Sequence, residues 1–162
     1  MAYLLDANVF ISAKNLHYGF DFCPAFWDWL ELANAAGKVQ SIEAVYNELT
    51  AGGDDLSTWA KDHKSFFVPT TQDELASIGA VNRWANNSPD YAAAAKDEFA
   101  AVADSFLIGH AVAGGHTVVT HEVIRDTRRK IQIPNAAIAN GVPYVNPFQM
   151  LRAEGARFVL GP

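Results

Sequence analysis

The spacing of apolar residues along the chain predicts short strands that alternate with helices. Apolar runs bounded by turn residues indicate strands at 3–5, 39–41, 66–68, 117–120, 130–133 and 144–145. Apolar positions that recur every three or four residues indicate helices at 9–16, 24–36, 42–51, 54–64, 71–85, 91–101, 104–113, 134–140 and 147–154. This alternation is typical of an α/β domain with a mainly parallel central sheet.

Several helix boundaries carry local signals of their own. Asn8 is expected to cap the helix at 9–16, and Pro24 suits the first position of the next helix. Thr71 and Glu74 have the spacing of a capping box. These signals support the helices predicted at 9–16, 24–36 and 71–85.

The composition indicates what class of protein this is. A chain of 162 residues, half of them hydrophobic and 19% charged, fits one globular domain at 1–162. No apolar run approaches the ~20 residues that a membrane helix needs. Cys23 is the single cysteine, which excludes an intrachain disulfide and is consistent with a reducing compartment. We therefore expect a cytoplasmic protein that does not enter membranes.

The charge balance argues against nucleic-acid binding unless the charges are segregated. Twelve basic and eighteen acidic residues give a net charge of −6. Four of the twelve basic residues, however, stand within six positions, at Arg125, Arg128, Arg129 and Lys130. This segment is expected to hold an RNA backbone through phosphate contacts, and the alternative is a solvated loop.

The candidate chemistry rests on four acids. Asp6 and Glu122 follow two predicted strands, Asp104 begins a predicted helix, and Glu48 lies at the edge of an apolar helix face. Each alone has an ordinary interpretation as a helix cap or a surface acid. Together they indicate a site, because open parallel sheets bind ligands beyond the carboxyl ends of their strands. Converging carboxylates need a cation between them, and oxygen ligands suit Mg²⁺ or Mn²⁺. Such metals activate water for phosphodiester cleavage.

Four segments of the chain resemble the acidic motifs of PIN domains: Leu4–Val9, Asn47–Leu49, Ala103–Ile108 and Val118–Glu122. Their order and spacing fit as well, and the chain more narrowly resembles a bacterial PIN-like family known as domain of unknown function 4411. The resemblance implies a Rossmann-like, three-layer α/β/α fold with four to five strands. It also implies a Mg²⁺- or Mn²⁺-dependent endoribonuclease, often the toxin of a toxin–antitoxin pair and often a homodimer. An antitoxin protein and an RNA substrate are then the expected partners.

The resemblance carries over residue by residue. Asp6, Glu48 and Asp104 match the first three acids of the PIN motifs, and Asn8 and Thr120 match polar positions that usually steady them. The fourth motif departs from the pattern, because PIN domains more often have Asp where this chain has Glu122. We expect Asp6 and Asp104 to be the principal metal ligands. Glu48 and Glu122 would complete the site directly or through water.

Three other functions remain open at this point. The first is a non-catalytic PIN-like module that binds RNA or a protein partner, although the presence of all four acids argues against it. The chain would be a phosphoacceptor domain if Asp6 were phosphorylated, although the single acid after the first strand argues against this. A DNA nuclease is the third alternative, and the short chain leaves little room for elements that grip a duplex. Phosphorylation of Asp6 and cleavage assays separate these alternatives.

Overall fold

The strands form one parallel sheet in a computed structural model that describes residues 1–161. They are β1 (Tyr3–Leu5), β2 (Val39–Ile42), β3 (Phe67–Val68), β4 (Thr117–Val119) and β5 (Tyr144–Val145). Their order in the sheet is β3-β2-β1-β4-β5, and all four pairings are parallel. The strand order reverses between the central strands β1 and β4, because β2 and β3 are added on one side of β1 and β4 and β5 on the other. Open α/β sheets form a ligand crevice at such a point. The predicted α/β fold with a parallel sheet is confirmed.

Nine α-helices accompany the sheet in residues 1–161. They are α1 (Ala7–Ser12), α2 (Pro24–Ala35), α3 (Glu43–Thr50), α4 (Asp55–Asp62), α5 (Gln72–Asn87), α6 (Ala93–Ala101), α7 (Ala103–Gly114), α8 (Ile133–Ala139) and α9 (Pro147–Ala153). Thr71 and Glu74 form the predicted capping box at the start of α5. Among these residues, no helix combines the length and the apolar character that crossing a lipid bilayer requires.

The centre of the sheet is buried on both faces. Leu4, Leu5, Val118 and Val119 of the central strands are all 0% exposed, as expected when helices cover both sides of a parallel sheet. Aromatic residues extend this core, since the Phe10 ring meets three other aromatic rings at centroid distances of 5.7–5.8 Å. The core therefore fixes the central strands, whose ends carry the candidate site.

The first predicted helix differs from the structure in two ways. Asp6, not Asn8, is the N-cap residue of α1, and Asn8 lies exposed in the first turn. The helix then widens into a π-helical turn at Ala13–His17, closed by a bond of 2.7 Å from Tyr18 N to Ala13 O. A π turn spans one more residue than an α turn, so it changes the direction of the residues that follow. Apolar spacing alone does not reveal this change.

The predicted strand at 130–133 is wrong. Residues 130–132 are irregular and Ile133 begins α8. Ile131 and Ile133 are 1% and 0% exposed, so their alternation with polar neighbours reflects burial in the core and not pairing with a strand. A smaller difference is that Phe66 closes a 3₁₀ turn before β3 and is not part of the strand.

Candidate functional site

Asp6 and Thr120 meet at the point where the sheet order reverses. Each directly follows a central strand, and β1 and β4 pair in parallel, so the two residues emerge side by side. Thr120 Oγ1 donates a hydrogen bond of 3.0 Å to Asp6 Oδ2, and Glu122 N donates one of 3.0 Å to Thr120 Oγ1. The Asp6 side chain is thereby held in one orientation, and the residue is only 4% exposed.

Glu48 connects helix α3 to the start of helix α7. Its Oε1 atom accepts a hydrogen bond of 3.1 Å from Ala103 N, the first residue of α7. The first N–H groups of a helix lack partners within the helix, and the N-cap residue Val102 has no polar side chain to supply one. The Glu48 carboxylate therefore caps α7 from a distant part of the chain. Asp104 follows in the first turn of the same helix.

The pKa of Asp6 is raised to about 7. Burial is the largest cause, because it disfavours the charged carboxylate, and the negative charges of Glu122 and Glu48 act in the same direction. The hydrogen bond from Thr120 opposes the shift only in part. A nearby cation would favour the ionised form of this carboxyl group.

The pKa of Asp104 is raised further, to about 8. Burial is again the main cause, followed by the charges of Asp6 and Glu122 and, more weakly, Glu48. The positive charge of Lys130 acts in the opposite direction and lowers it. The structure thus brings all four predicted acids into one electrostatic environment.

Lys130 supplies a positive charge at the rim of this environment. Its Nζ atom lies 3.3 Å from Glu122 Oε1, a buried oxygen that has no partner with hydrogen-bond geometry. Burial acts to lower the pKa of Lys130, but attraction to Glu122 and Asp104 raises it overall. One of the four basic residues predicted to bind RNA is therefore paired with the acids.

The donor set fits a hard divalent cation. It consists of carboxylate and hydroxyl oxygens, one of them buried without a hydrogen bond, and a cation would relieve the repulsion that raises the two pKa values. Within residues 1–161, no three His, Cys, Asp or Glu side chains already stand close enough together to hold a metal ion. Asp6, Glu48, Asp104 and Glu122 are the residues that would hold such a cation.

The remaining predicted residues are Asn8 and the arginines of the basic segment. Asn8 is exposed and takes no part in the hydrogen bonds or the charge interactions described for the four acids. Arg125, Arg128 and Arg129 are all exposed, and Arg128 Nη1 also donates a hydrogen bond of 3.1 Å to the carbonyl of Pro89. The basic segment is thus a loop that follows Glu122, with three exposed arginines.

A cleft that the sequence did not predict opens next to the acids. It has a volume of about 520 Å³, and Thr120 and Glu122 form part of its wall. Its other lining residues are His121, Val123, Ile124, Tyr144, Asn146, Phe148 and Gln149. His17 reaches the rim of this cleft, 5.2 Å from the Phe148 ring and 5.5 Å from His121. No spacing in the sequence signals this group, because its members come from three separate segments.

Comparisons with known proteins agree with this architecture. The fold resembles VapBC2 from Rickettsia felis, solved bound to a DNA fragment from their promoter, with a TM-score of 0.56, 18% identity, and coverage of 90% of this chain and 98% of that chain. It also resembles FitAB bound to an IR36 DNA fragment, with a TM-score of 0.55, 19% identity, and coverage of 90% and 95%. No curated protein matches the sequence. A family model described as a domain of unknown function, DUF4411, matches residues 3–158. The fold is therefore PIN-like, and the chain belongs to the DUF4411 family.

Proposed function

We propose that this protein is a metal-dependent endoribonuclease that uses Mg²⁺ or Mn²⁺. The observation that supports this most strongly is the coupling of Asp6 and Asp104 at the point where the sheet order reverses, with pKa values raised to about 7 and 8. Neighbouring carboxylates repel each other unless a cation lies between them, and carboxylate-held Mg²⁺ or Mn²⁺ is the usual apparatus for phosphodiester cleavage.

Each residue of the site would have a distinct task. Asp6 and Asp104 would hold the metal, with Glu48 and Glu122 completing its surroundings directly or through water. When bound, the metal would supply a Lewis acid that activates water and offsets charge on the phosphate. Thr120 keeps the Asp6 carboxylate oriented through its bond of 3.0 Å. No side-chain nucleophile is required.

The basic loop would bring the substrate to the acids. Arg125 and Arg129 are exposed beside the site, and contacts from such residues to phosphates supply affinity that does not depend on sequence. Lys130 offsets part of the negative charge of Glu122 and Asp104, so it lowers the repulsion that an incoming phosphate meets. Arg128 would contribute less, since its guanidinium group already contacts Pro89.

We further propose that the protein acts as a single-domain toxin, neutralised by an antitoxin protein, and forms a homodimer in the cytoplasm. The resemblance to the VapBC2 and FitAB chains supports this, together with an acidic site open to an inserted Arg or Lys from an inhibitor. The Lys130–Glu122 pair within the chain illustrates how readily a cation approaches these acids.

A non-catalytic binding module is the second candidate, and two observations favour it. Lys130 Nζ already lies 3.3 Å from Glu122 Oε1. Within residues 1–161, no three His, Cys, Asp or Glu side chains stand close enough together to hold a metal ion. A protein of this kind would bind RNA or a partner through the basic loop without needing a metal. Metal-dependent cleavage distinguishes it from the proposed enzyme.

The test is RNA cleavage by matched variants. Purified wild-type protein, Asp6→Asn and Asp97→Asn are incubated with a structured RNA pool in Mn²⁺, in Mg²⁺ and in chelator. Asp97 is an exposed acid of α6 and controls for the change of charge. We expect wild type and Asp97→Asn to cleave only with metal, and Asp6→Asn to lose at least roughly 100-fold in rate. Equal cleavage by Asp6→Asn would exclude the proposed site.

A further inference from the structure

The cleft beside the acids has the properties of a binding site for a flat aromatic ligand. Its volume of about 520 Å³ lies in the range of small-molecule sites and accommodates one nucleotide rather than a helix or a strand. Tyr144, His121 and Phe148 provide ring surfaces, and the exposed side chains of Val123 and Ile124 form an apolar edge. A ligand in this cleft would touch Thr120 and Glu122, which also belong to the candidate metal site.

Three rings form one corner of the cleft. The centroids of His17, His121 and Phe148 lie 5.2–5.8 Å from one another, with interplanar angles of 32° to 84°. The π-helical turn that ends at His17 brings this ring to the corner, 5.5 Å from the His121 ring. Aromatic rings in this arrangement offer a stacking surface.

Two amide side chains also line the cleft, those of Asn146 and Gln149. They form a capping box, in which each amide oxygen accepts a backbone N–H at 2.8 or 2.9 Å. Because the oxygens are engaged, the amide NH₂ groups are the donors left to a ligand. Ring faces with amide donors at the edge match a nucleobase, which stacks through its π face and accepts hydrogen bonds at its rim.

We propose that this cleft binds one unpaired nucleobase of the RNA, next to the phosphate that the acids act on. The proposal rests on the proposed nuclease function and specifies its substrate class: the nucleotide adjacent to the cleavage site must be out of a duplex, because a paired base cannot enter the cleft. The cleft, and not the basic loop, then selects where the RNA is positioned.

The test uses free nucleosides, which contain no cleavable bond and no phosphate. Adenosine, cytidine or uridine is titrated into the full-length protein in chelator, and the ring protons of the five histidines are followed by NMR. Ribose alone is the control ligand. We expect base-dependent shifts at His17 and His121, no matching shifts at His63, His110 and His116, and no effect of ribose.

Matched variants identify the stacking surface. Phe148→Leu keeps an apolar side chain but removes the ring, and should raise the nucleoside Kd at least about fivefold, the lower end for loss of one stacking contact. Tyr46→Leu changes a half-buried ring in a different cleft, formed with Glu43 and Lys64, and should leave the Kd within about twofold. Far-UV circular dichroism of both variants checks that the fold is intact.

Three outcomes of the ligand titrations would overturn the subsite. They are equal shifts at all five histidines, shifts produced by ribose alone, and no shift of His17 or His121 at saturating nucleoside. Broadening of the His17 and His121 signals with protein concentration, without a nucleoside effect, would assign the cleft to contact between copies of the chain and would also overturn it. Failure of the subsite is separable from failure of the nuclease, since RNA cleavage without nucleoside binding refutes only the subsite.

Discussion

At the scale of single residues, the site is defined by carboxyl groups that burial keeps from ionising freely. Asp6 and Asp104 have pKa values of about 7 and 8, with desolvation as the first cause and neighbouring acids as the second. Both groups are therefore partly protonated near neutral pH, and a bound divalent cation would compete with these protons. Metal binding and proton release are coupled for this reason.

This coupling predicts how stability depends on pH. In the unfolded chain both acids lose their protons near pH 4, whereas the native protein retains them up to pH 7–8, so the native state binds more protons between these limits. The stability that protonation contributes is present below pH 4 and is lost as the pH rises through 7–8. We expect Asp104→Asn, which cannot ionise, to gain stability over wild type as the pH rises from 5 to 8 in chelator.

The measurement is the difference between the melting temperatures of Asp104→Asn and wild type at each pH. The difference is needed because burial lowers the pKa values of His110, His116 and His121, and those groups add stability as the pH rises. Asp97→Asn serves as the exposed control. A difference that stays constant across this range would contradict the raised pKa of Asp104.

Lys130 offers a second test at this scale. Removing its charge by Lys130→Met should strengthen Mn²⁺ binding at least roughly fivefold, because a charge a few ångström from the ion is worth about 1 kcal/mol even in a water-like dielectric. Titration calorimetry with Mn²⁺ measures the effect. Arg129→Met removes the same charge from an exposed position in the same loop and should change the affinity less. Weaker Mn²⁺ binding by Lys130→Met would show that Lys130 organises the acids and does not compete with the metal.

At the scale of elements, local signals in the sequence predicted most helices and strands. The capping residues Thr71 and Glu74 and the helix-starting Pro24 are signals that lie within a few residues of each other or of the helix, and the helices they mark are present. The wrong strand at 130–133 had a local pattern too, but its isoleucines are buried by helices that pack from elsewhere. A short apolar run therefore does not distinguish a strand from an irregular segment that is buried in the core.

Contacts between elements could not be predicted in the same way. Glu48 caps α7 through Ala103, a residue 55 positions away, and the sequence presents it only as an acid on a helix edge. The π turn before His17 depends on one shifted hydrogen bond, from Tyr18 to Ala13. The acids of the site were identified from their positions after strands and from the family resemblance, whereas the aromatic cleft needed the three-dimensional structure.

The packing of α7 on α5 gives a prediction at this scale, because α7 carries Asp104. A Cβ atom added at Gly109 would lie 2.8 Å from Cα and 2.9 Å from N of Ile78 in α5, and backbone atoms cannot move aside easily. Gly109→Ala should lower the free energy of unfolding by about 1–3 kcal/mol in urea titrations. Gly79→Ala is the matched control, since its nearest contact is Arg83 at 3.6 Å, and it should be neutral or stabilising. Equal effects of the two variants would contradict the close approach of the helices.

At the scale of the whole molecule, the strand order determines where the chemistry lies. Because β1 and β4 are neighbours and parallel, residues 114 positions apart, Asp6 and Thr120, come within 3.0 Å. The sequence predicted a parallel sheet with acids at one edge, and five strands in the order β3-β2-β1-β4-β5 agree with that prediction. The order itself follows from long-range pairing and was not predicted from local patterns.

We propose that Asp6, Glu48, Asp104 and Glu122 hold the metal with which the protein cleaves RNA. The most direct measurement titrates Mn²⁺ into wild-type protein and follows bound Mn²⁺ by electron paramagnetic resonance and RNA cleavage in the same samples. We expect the cleavage rate to rise in proportion to bound Mn²⁺. Asp104→Asn should lose both bound Mn²⁺ and cleavage, whereas Asp97→Asn should keep both. Mn²⁺ bound at these acids without cleavage of any RNA in the pool, or cleavage that persists in Asp104→Asn, would contradict this proposal.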